Sequence, residues 1–103
     1  MKHPDNIEEM LKTYPKQYEA FLVNMDQLAT LHVIKSQAYG AKAIGRFGLH
    51  GIVVRMSDKI ERLITLSTNP HTTTDDESID DTLRDLAGYA INALILRQGK
   101  WGK

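Results

Sequence analysis

The sequence predicts an all-α fold, in which residues 1–103 form one compact domain of about four helices. Apolar residues recur three and four positions apart through most of the chain, as on the buried face of a helix. Strand-like alternation does not persist for more than a few residues. A chain of 103 residues supports one hydrophobic core but not two. Self-association would bury further apolar surface, so we expect a homo-oligomer.

The first two predicted helices lie on either side of Pro15. A short helix is expected over residues 5–13, because Asp5 caps its first turn and Glu8 follows three residues later. Pro15 suits the first turn of the second helix, where its missing N–H costs nothing. The second helix is predicted to run to about Tyr39. Its apolar positions have helical spacing and comprise Phe21, Leu22, Met25, Leu28, Leu31 and Ile34.

Glycines interrupt the helical pattern between residues 40 and 51. They indicate an irregular connection with unusual backbone angles, and comprise Gly40, Gly45, Gly48 and Gly51. The third helix is predicted over residues 49–66. Its core face is an arc of about 120°, formed by Ile52, Val53, Met56, Ile60, Leu63 and Ile64.

Residues 67–76 contain a proline and no periodicity, which is typical of a mobile loop. The fourth helix is predicted over residues 75–97, with Thr74 and Glu77 as its capping box. Its predicted core face comprises Ile79, Leu83, Leu86, Ala87, Ala90 and Leu94. The opposite stripe is polar and contains Asp81, Asp85, Gly88 and Asn92. The tail after residue 97 is expected to fray.

Composition excludes several classes of function. The chain has no cysteine, which rules out disulfides, thiolate metal sites and a cysteine nucleophile. It shows no signal-like N-terminus and no apolar run of about 20 residues, so we expect a cytoplasmic protein without a membrane partner. The net charge of zero argues against duplex-DNA binding. The four histidines lack the spacing of a zinc site.

The zero net charge conceals two segments of opposite sign. Residues 35–62 carry six basic and two acidic side chains, a net charge of +4. Residues 75–85 carry six acidic and one basic side chain, a net charge of −5. These segments either neutralise each other across a helix pair or form a site for phosphate and metal between them.

Carboxylates on the third and fourth helices are candidate ligands of Mg²⁺. This ion prefers oxygen ligands, so carboxylates and a nucleotide phosphate form a suitable first shell. If the two helices pack side by side, the acidic residues that converge are Asp58, Glu61, Glu77, Asp81 and Asp85. The alternative is two solvated faces with intrahelical links, such as Asp58 to Arg62.

Basic and aromatic side chains are candidate ligands of a nucleotide. Arg46 lies in the glycine segment before a helix start, where backbone N–H groups favour anions. A basic flank of the third helix comprises Arg55, Lys59 and Arg62. Tyr39 and Tyr89 are candidates for stacking on a base, and their alternative role is core or interface packing.

Three segments carry a resemblance to a known family: KSQAYG at 35–40, FGLHGIVVRMSDKIERL at 47–63 and DESIDDTLRDLAGYA at 76–90. They resemble the phage-associated nucleotide modification associated domain, type 1, a small helical family. The resemblance implies phage nucleotide metabolism or DNA-base modification, in the cytoplasm of an infected bacterium. It marks for testing Tyr39, Gly40, Arg55, Asp58, Lys59, Arg62, Asp81, Asp85 and Tyr89.

The chain is also distantly similar to MazG-like all-α nucleoside triphosphate pyrophosphohydrolases, which bind Mg²⁺ through pairs of acidic residues on helices. The corresponding pairs here are Asp58 with Glu61 and Glu77 with Asp80. That likeness implies a Mg²⁺-dependent hydrolase, although helical phase favours Asp81 over Asp80. Three functions are therefore open. The protein sequesters a nucleotide, such as a cyclic signal of host antiviral defence, or hydrolyses a nucleoside triphosphate, or serves as an accessory protein in phage nucleotide modification.

Overall fold

A computed structural model describes residues 7–68 and 76–103, without the side chains of residues 7, 10 and 76–78. The described chain is all-α, as predicted. Three long helices form it, α2 (Pro15–Gly45), α3 (Gly48–Thr68) and α4 (Asp76–Arg97), preceded by the five-residue α1 (Ile7–Leu11). The prediction of about four helices is therefore not confirmed, because the described chain consists of three long helices and one short turn of helix. No helix in the described ranges is long and apolar enough to cross a membrane.

Several expectations fall outside the described residues. The cap at Asp5 and the capping box at Thr74 both do so, and so does most of the predicted loop over residues 67–76. Its first two positions, 67 and 68, belong to α3.

The second helix is longer than the sequence indicates. It begins at Pro15, as predicted, but continues to Gly45 instead of ending near Tyr39. Gly40 interrupts it with a non-helical backbone, φ 73° and ψ 161°, in a region essentially restricted to glycine. Helix-favouring alanines follow, so the helix resumes after this one residue. The predicted irregular connection is therefore a kink at Gly40 and a short turn at residues 46–47.

The hairpin of α3 and α4 contains most of the packing between helices. From residue 52 to the end of α3, the buried and half-buried residues recur at spacings of four and three, and comprise Ile52, Met56, Lys59, Leu63 and Leu66. A matching series on α4 comprises Thr82, Leu86, Tyr89, Ala93 and Leu96. This spacing is typical of helices that pack side by side with interlocking side chains. Ile52 is the one fully buried hydrophobic residue of the described chain.

The predicted core faces of α3 and α4 are partly wrong. Val53, Ile60 and Ile64 on α3 and Leu83 and Leu94 on α4 are between 46% and 57% exposed. The two helices meet along a narrow seam, and a single hairpin partner cannot cover an apolar arc as wide as about 120°. These residues therefore remain on the surface of the isolated chain.

The C-terminal tail packs on α2, so the expectation that it frays is wrong. Nε1 of Trp101 donates a hydrogen bond to the carbonyl oxygen of Ala41 at 2.9 Å. The indole also meets the ring of His32 edge-on, with centroids 6.1 Å apart. A Cβ atom at Gly45 would lie 2.5 Å from Nε1 of Trp101, so glycine permits this close approach. Trp101 thereby anchors the tail beside the kink.

Candidate functional site

A cleft of about 450 Å³ lies between α3 and α4. Arg55, Asp58, Lys59 and Arg62 line it from α3, and Tyr89 lines it from α4. The α3 residues share one side of the helix, because positions three, four and seven apart are neighbours on a helix surface. All five were singled out from the sequence. The volume falls within the range of about 300–1,000 Å³ that is common for small-molecule sites.

Asp85 ties three helices together beside this cleft. Its Oδ1 lies 2.8 Å from Nζ of Lys35 on α2, and its Oδ2 lies 3.0 Å from Nζ of Lys59 on α3. Burial raises the pKa of Asp85, but hydrogen bonds and charge attraction from the two lysines outweigh it and hold the pKa below its ordinary value. Asp85 is therefore ionised at neutral pH and fixes the ammonium group of Lys59.

The two arginines of the cleft have no such partner among the described side chains. Among the side chains that the structure describes, no carboxylate lies within 4.0 Å of Arg55 or Arg62. The link from Asp58 to Arg62, expected from their spacing, is likewise not formed. Three cationic side chains and one carboxylate give the lining of the cleft a formal charge of +2. An anion is the complementary ligand for such a lining.

The acidic candidates for Mg²⁺ whose side chains the structure describes do not gather around the cleft. Asp58 lines it, whereas Glu61 is exposed on α3. Asp81 is 63% exposed and pairs with Arg84 of its own helix at 3.3 Å. The side chain of Glu77 lies outside the described residues. Within the described ranges no three His, Asp or Glu side chains are grouped as a metal site requires, and the Mg²⁺ site stays a prediction.

Tyr39 and Arg46 lie apart from the cleft in the described chain. Tyr39 is exposed on α2, one residue before the kink at Gly40. The guanidinium of Arg46 lies over the neighbouring Phe47 ring, 5.5 Å from its centroid. Of the six predicted nucleotide ligands, the structure brings together four: Arg55, Lys59, Arg62 and Tyr89.

Lys35 is the residue of this region that the sequence analysis missed. It was counted only as one charge of the basic segment, yet it makes the shorter of the two contacts to Asp85. The two residues are 50 positions apart, and hydrophobic periodicity does not say which face of α2 meets α4. No signal in a single sequence identifies this pair.

Comparison with known proteins finds no matching family model, no matching curated protein and no matching solved structure. The chemistry of the cleft is therefore the basis for assigning a function.

Proposed function

We propose that the cleft between α3 and α4 binds the phosphate groups of a nucleotide and holds it without hydrolysing it. The observation that carries this proposal is the row of three cations on α3, Arg55, Lys59 and Arg62, in one cleft. A guanidinium donates paired hydrogen bonds to phosphate oxygens, and an ammonium acts as a compact point charge. Arg55 and Arg62, which have no described carboxylate partner, supply the paired hydrogen bonds. Lys59 supplies the point charge.

Tyr89 favours a nucleotide over inorganic phosphate. Tyr89 lines the cleft from α4, whereas the cations line it from α3. Stacking of a base on an aromatic side chain contributes roughly 1–3 kcal/mol to binding. A ligand with phosphate at the α3 side and a base on Tyr89 therefore uses both walls of the cleft.

Binding without turnover is favoured over Mg²⁺-dependent hydrolysis. The hydrolase hypothesis requires carboxylates of both α3 and α4 to share a metal ion, which then activates water. Of the four acidic candidates whose side chains the structure describes, Asp58 alone lines the cleft, and Asp85 is engaged by two lysines. This arrangement supports sequestration of a nucleotide, such as the cyclic signal of host antiviral defence considered from the sequence.

A binding and recovery experiment tests the proposal. The protein is incubated with nucleoside triphosphates and with cyclic di- and trinucleotides, with Mg²⁺ or with EDTA, and is then heat-denatured. We expect chromatography to show that one ligand is depleted before denaturation and is recovered intact afterwards, with or without metal. Metal-dependent release of pyrophosphate would support the hydrolase instead, and no depletion of any ligand would remove the binding function.

Substitutions in the cleft assign the ligand contacts. A hydrogen bond to a charged group contributes about 1.5–3 kcal/mol, so Arg55→Ala and Arg62→Ala should each weaken binding by roughly 10- to 100-fold. Arg97→Ala is the matched control, because Arg97 is exposed at the end of α4 and outside the cleft. Tyr89→Phe should retain binding, whereas Tyr89→Ala should reduce it. Equal affinities for wild type and both arginine variants would exclude this cleft.

A further inference from the structure

The first half of α2 presents an apolar surface that no described residue covers. None of the residues of α2 is buried within the described chain. Phe21 is 61% exposed and Met25 is 50% exposed, and Leu22 between them is also exposed. An apolar surface of this kind on a helix is stabilised when another helix covers it.

Three exposed residues of this half and one half-buried residue, Leu28, have the spacing of a helix-pairing seam. Tyr18, Phe21, Met25 and Leu28 alternate at intervals of three and four, so they occupy successive a and d positions of a heptad. We call these four residues the α2 seam. The charged residues of the same half, Lys16, Glu19 and Asp26, fall at the outward b and f positions. These three charged residues therefore lie off the α2 seam, although the outward positions also include the apolar Val23.

Packing within the chain begins where the α2 seam ends. The next position in the same series is His32, whose ring contacts Trp101. The position after it is Lys35, which pairs with Asp85. One continuous stripe of α2 thus meets the rest of the subunit at its C-terminal end, whereas Tyr18, Phe21 and Met25 remain exposed within the described chain.

The surface area of the chain supports a missing partner. Its accessible surface is 8414 Å², whereas a compact monomer of 11.6 kDa exposes about 5,800 Å². The radius of gyration is 16.4 Å, against about 13 Å for a compact chain of this length. The excess area is larger than the roughly 800 Å² that each partner contributes to a standard protein interface.

We infer that the α2 seam is a self-association surface and that its occupant is the α2 helix of a second copy of this chain. Two copies of one apolar seam complement each other about a two-fold axis, because each contributes the same residues. The flanking e and g positions are uncharged in both copies, so no like charges oppose one another; they comprise Gln17, Leu22, Asn24, Ala29 and Leu31. Because these flanking positions are uncharged, they do not favour a different partner with a charged surface. The seam shares no residue with the cleft, so the two proposals stand independently.

Sedimentation or light scattering of the 103-residue chain over a range of concentrations tests this surface. We expect the wild type to have the mass of a dimer or a larger assembly. Phe21→Lys places a charge in the seam and should weaken association at least tenfold. Val23→Lys is the matched control, because Val23 is 56% exposed on the same helix and points about 160° away from Phe21. A wild type that stays monomeric, as expected if a different protein covers the seam, or a Phe21→Lys variant that assembles like the wild type, would overturn the inference.

Chemical crosslinking gives a second test, which reports directly on contact between the two copies. The chain has no cysteine, so single variants Phe21→Cys and Val23→Cys each carry one reactive thiol. With a short bis-maleimide we expect Phe21→Cys to form covalent dimers efficiently and Val23→Cys to form few. Circular dichroism should show unchanged helix content, since Phe21 is largely exposed within the subunit. Stronger crosslinking at position 23 than at position 21 would overturn the assignment of this face.

Discussion

Nζ of Lys59 lies 3.0 Å from Oδ2 of Asp85, so a carboxylate on α4 fixes the lysine of the basic row on α3. The other oxygen of the same carboxylate contacts Lys35 on α2 at 2.8 Å. Side chains of Lys59 and Asp85 are less than one third exposed, and solvent therefore screens this pair less than a surface ion pair. Asp85 serves the fold and the candidate site together, because it joins three helices and positions one cation of the cleft.

Replacing Asp85 should destabilise the fold. In Asp85→Asn two ammonium groups lose their charged partner, and we expect the free energy of unfolding to fall by about 1–2 kcal/mol, measured by urea denaturation at pH 7. Asp81→Asn is the control, because Asp81 is 63% exposed and pairs within its own helix. It should change stability by less than about 0.5 kcal/mol. Equal losses of stability in the two variants would contradict a stabilising role for the contacts of Asp85 with Lys35 and Lys59.

The same carboxylate predicts a pH dependence. Its pKa is lower in the folded protein than its ordinary value, so its stabilising contribution is fully present above about pH 4. That contribution is lost as the pH falls through the lower, folded-state pKa. The stability difference between wild type and Asp85→Asn should thus be constant from pH 7 to pH 5 and should narrow at pH 3. If the stability difference between wild type and Asp85→Asn were as large at pH 3 as at pH 7, the charge of Asp85 would not be the source of that difference.

Two glycine-to-alanine variants should have opposite effects. Gly40 has φ 73° and ψ 161°, and alanine at such angles costs about 1–3 kcal/mol. Gly88 lies inside α4, and an added Cβ meets no described atom within 4 Å. Gly88→Ala should therefore stabilise the protein by up to about 1 kcal/mol. Thermal unfolding of both variants measures these opposite changes in stability. A Gly40→Ala variant as stable as Gly88→Ala would argue against the non-helical backbone at Gly40.

Trp101 should contribute to stability through its ring and through its N–H group. Trp101→Phe keeps an aromatic ring but removes the hydrogen bond to Ala41, so we expect a loss of about 1 kcal/mol. Trp101→Ala also removes the ring from its contacts with α2 and should cost about 2–3 kcal/mol. Chemical denaturation followed by circular dichroism measures both. Wild-type stability in Trp101→Ala would mean that the tail does not support the fold.

The helices and the basic row of the cleft were predictable because they depend on local spacing. Pro15 marks the start of α2 in both the sequence and the structure, since a proline suits the first turn of a helix. Arg55, Lys59 and Arg62 are four and three residues apart, which places them on one side of any helix that contains them. The exposed core-face residues were not predictable, because periodicity marks an apolar arc without saying how much of it a neighbour covers.

By itself the sequence determined the all-α class, the helix start at Pro15 and the row of cations on α3. Each of these follows from residues within a few turns of one another. The tertiary structure alone decided that Asp85 binds Lys35 and Lys59, that Tyr89 completes the cleft and that Trp101 packs on α2. These contacts join residues far apart in the chain, and their formation depends on the rotation and register at which the helices pack.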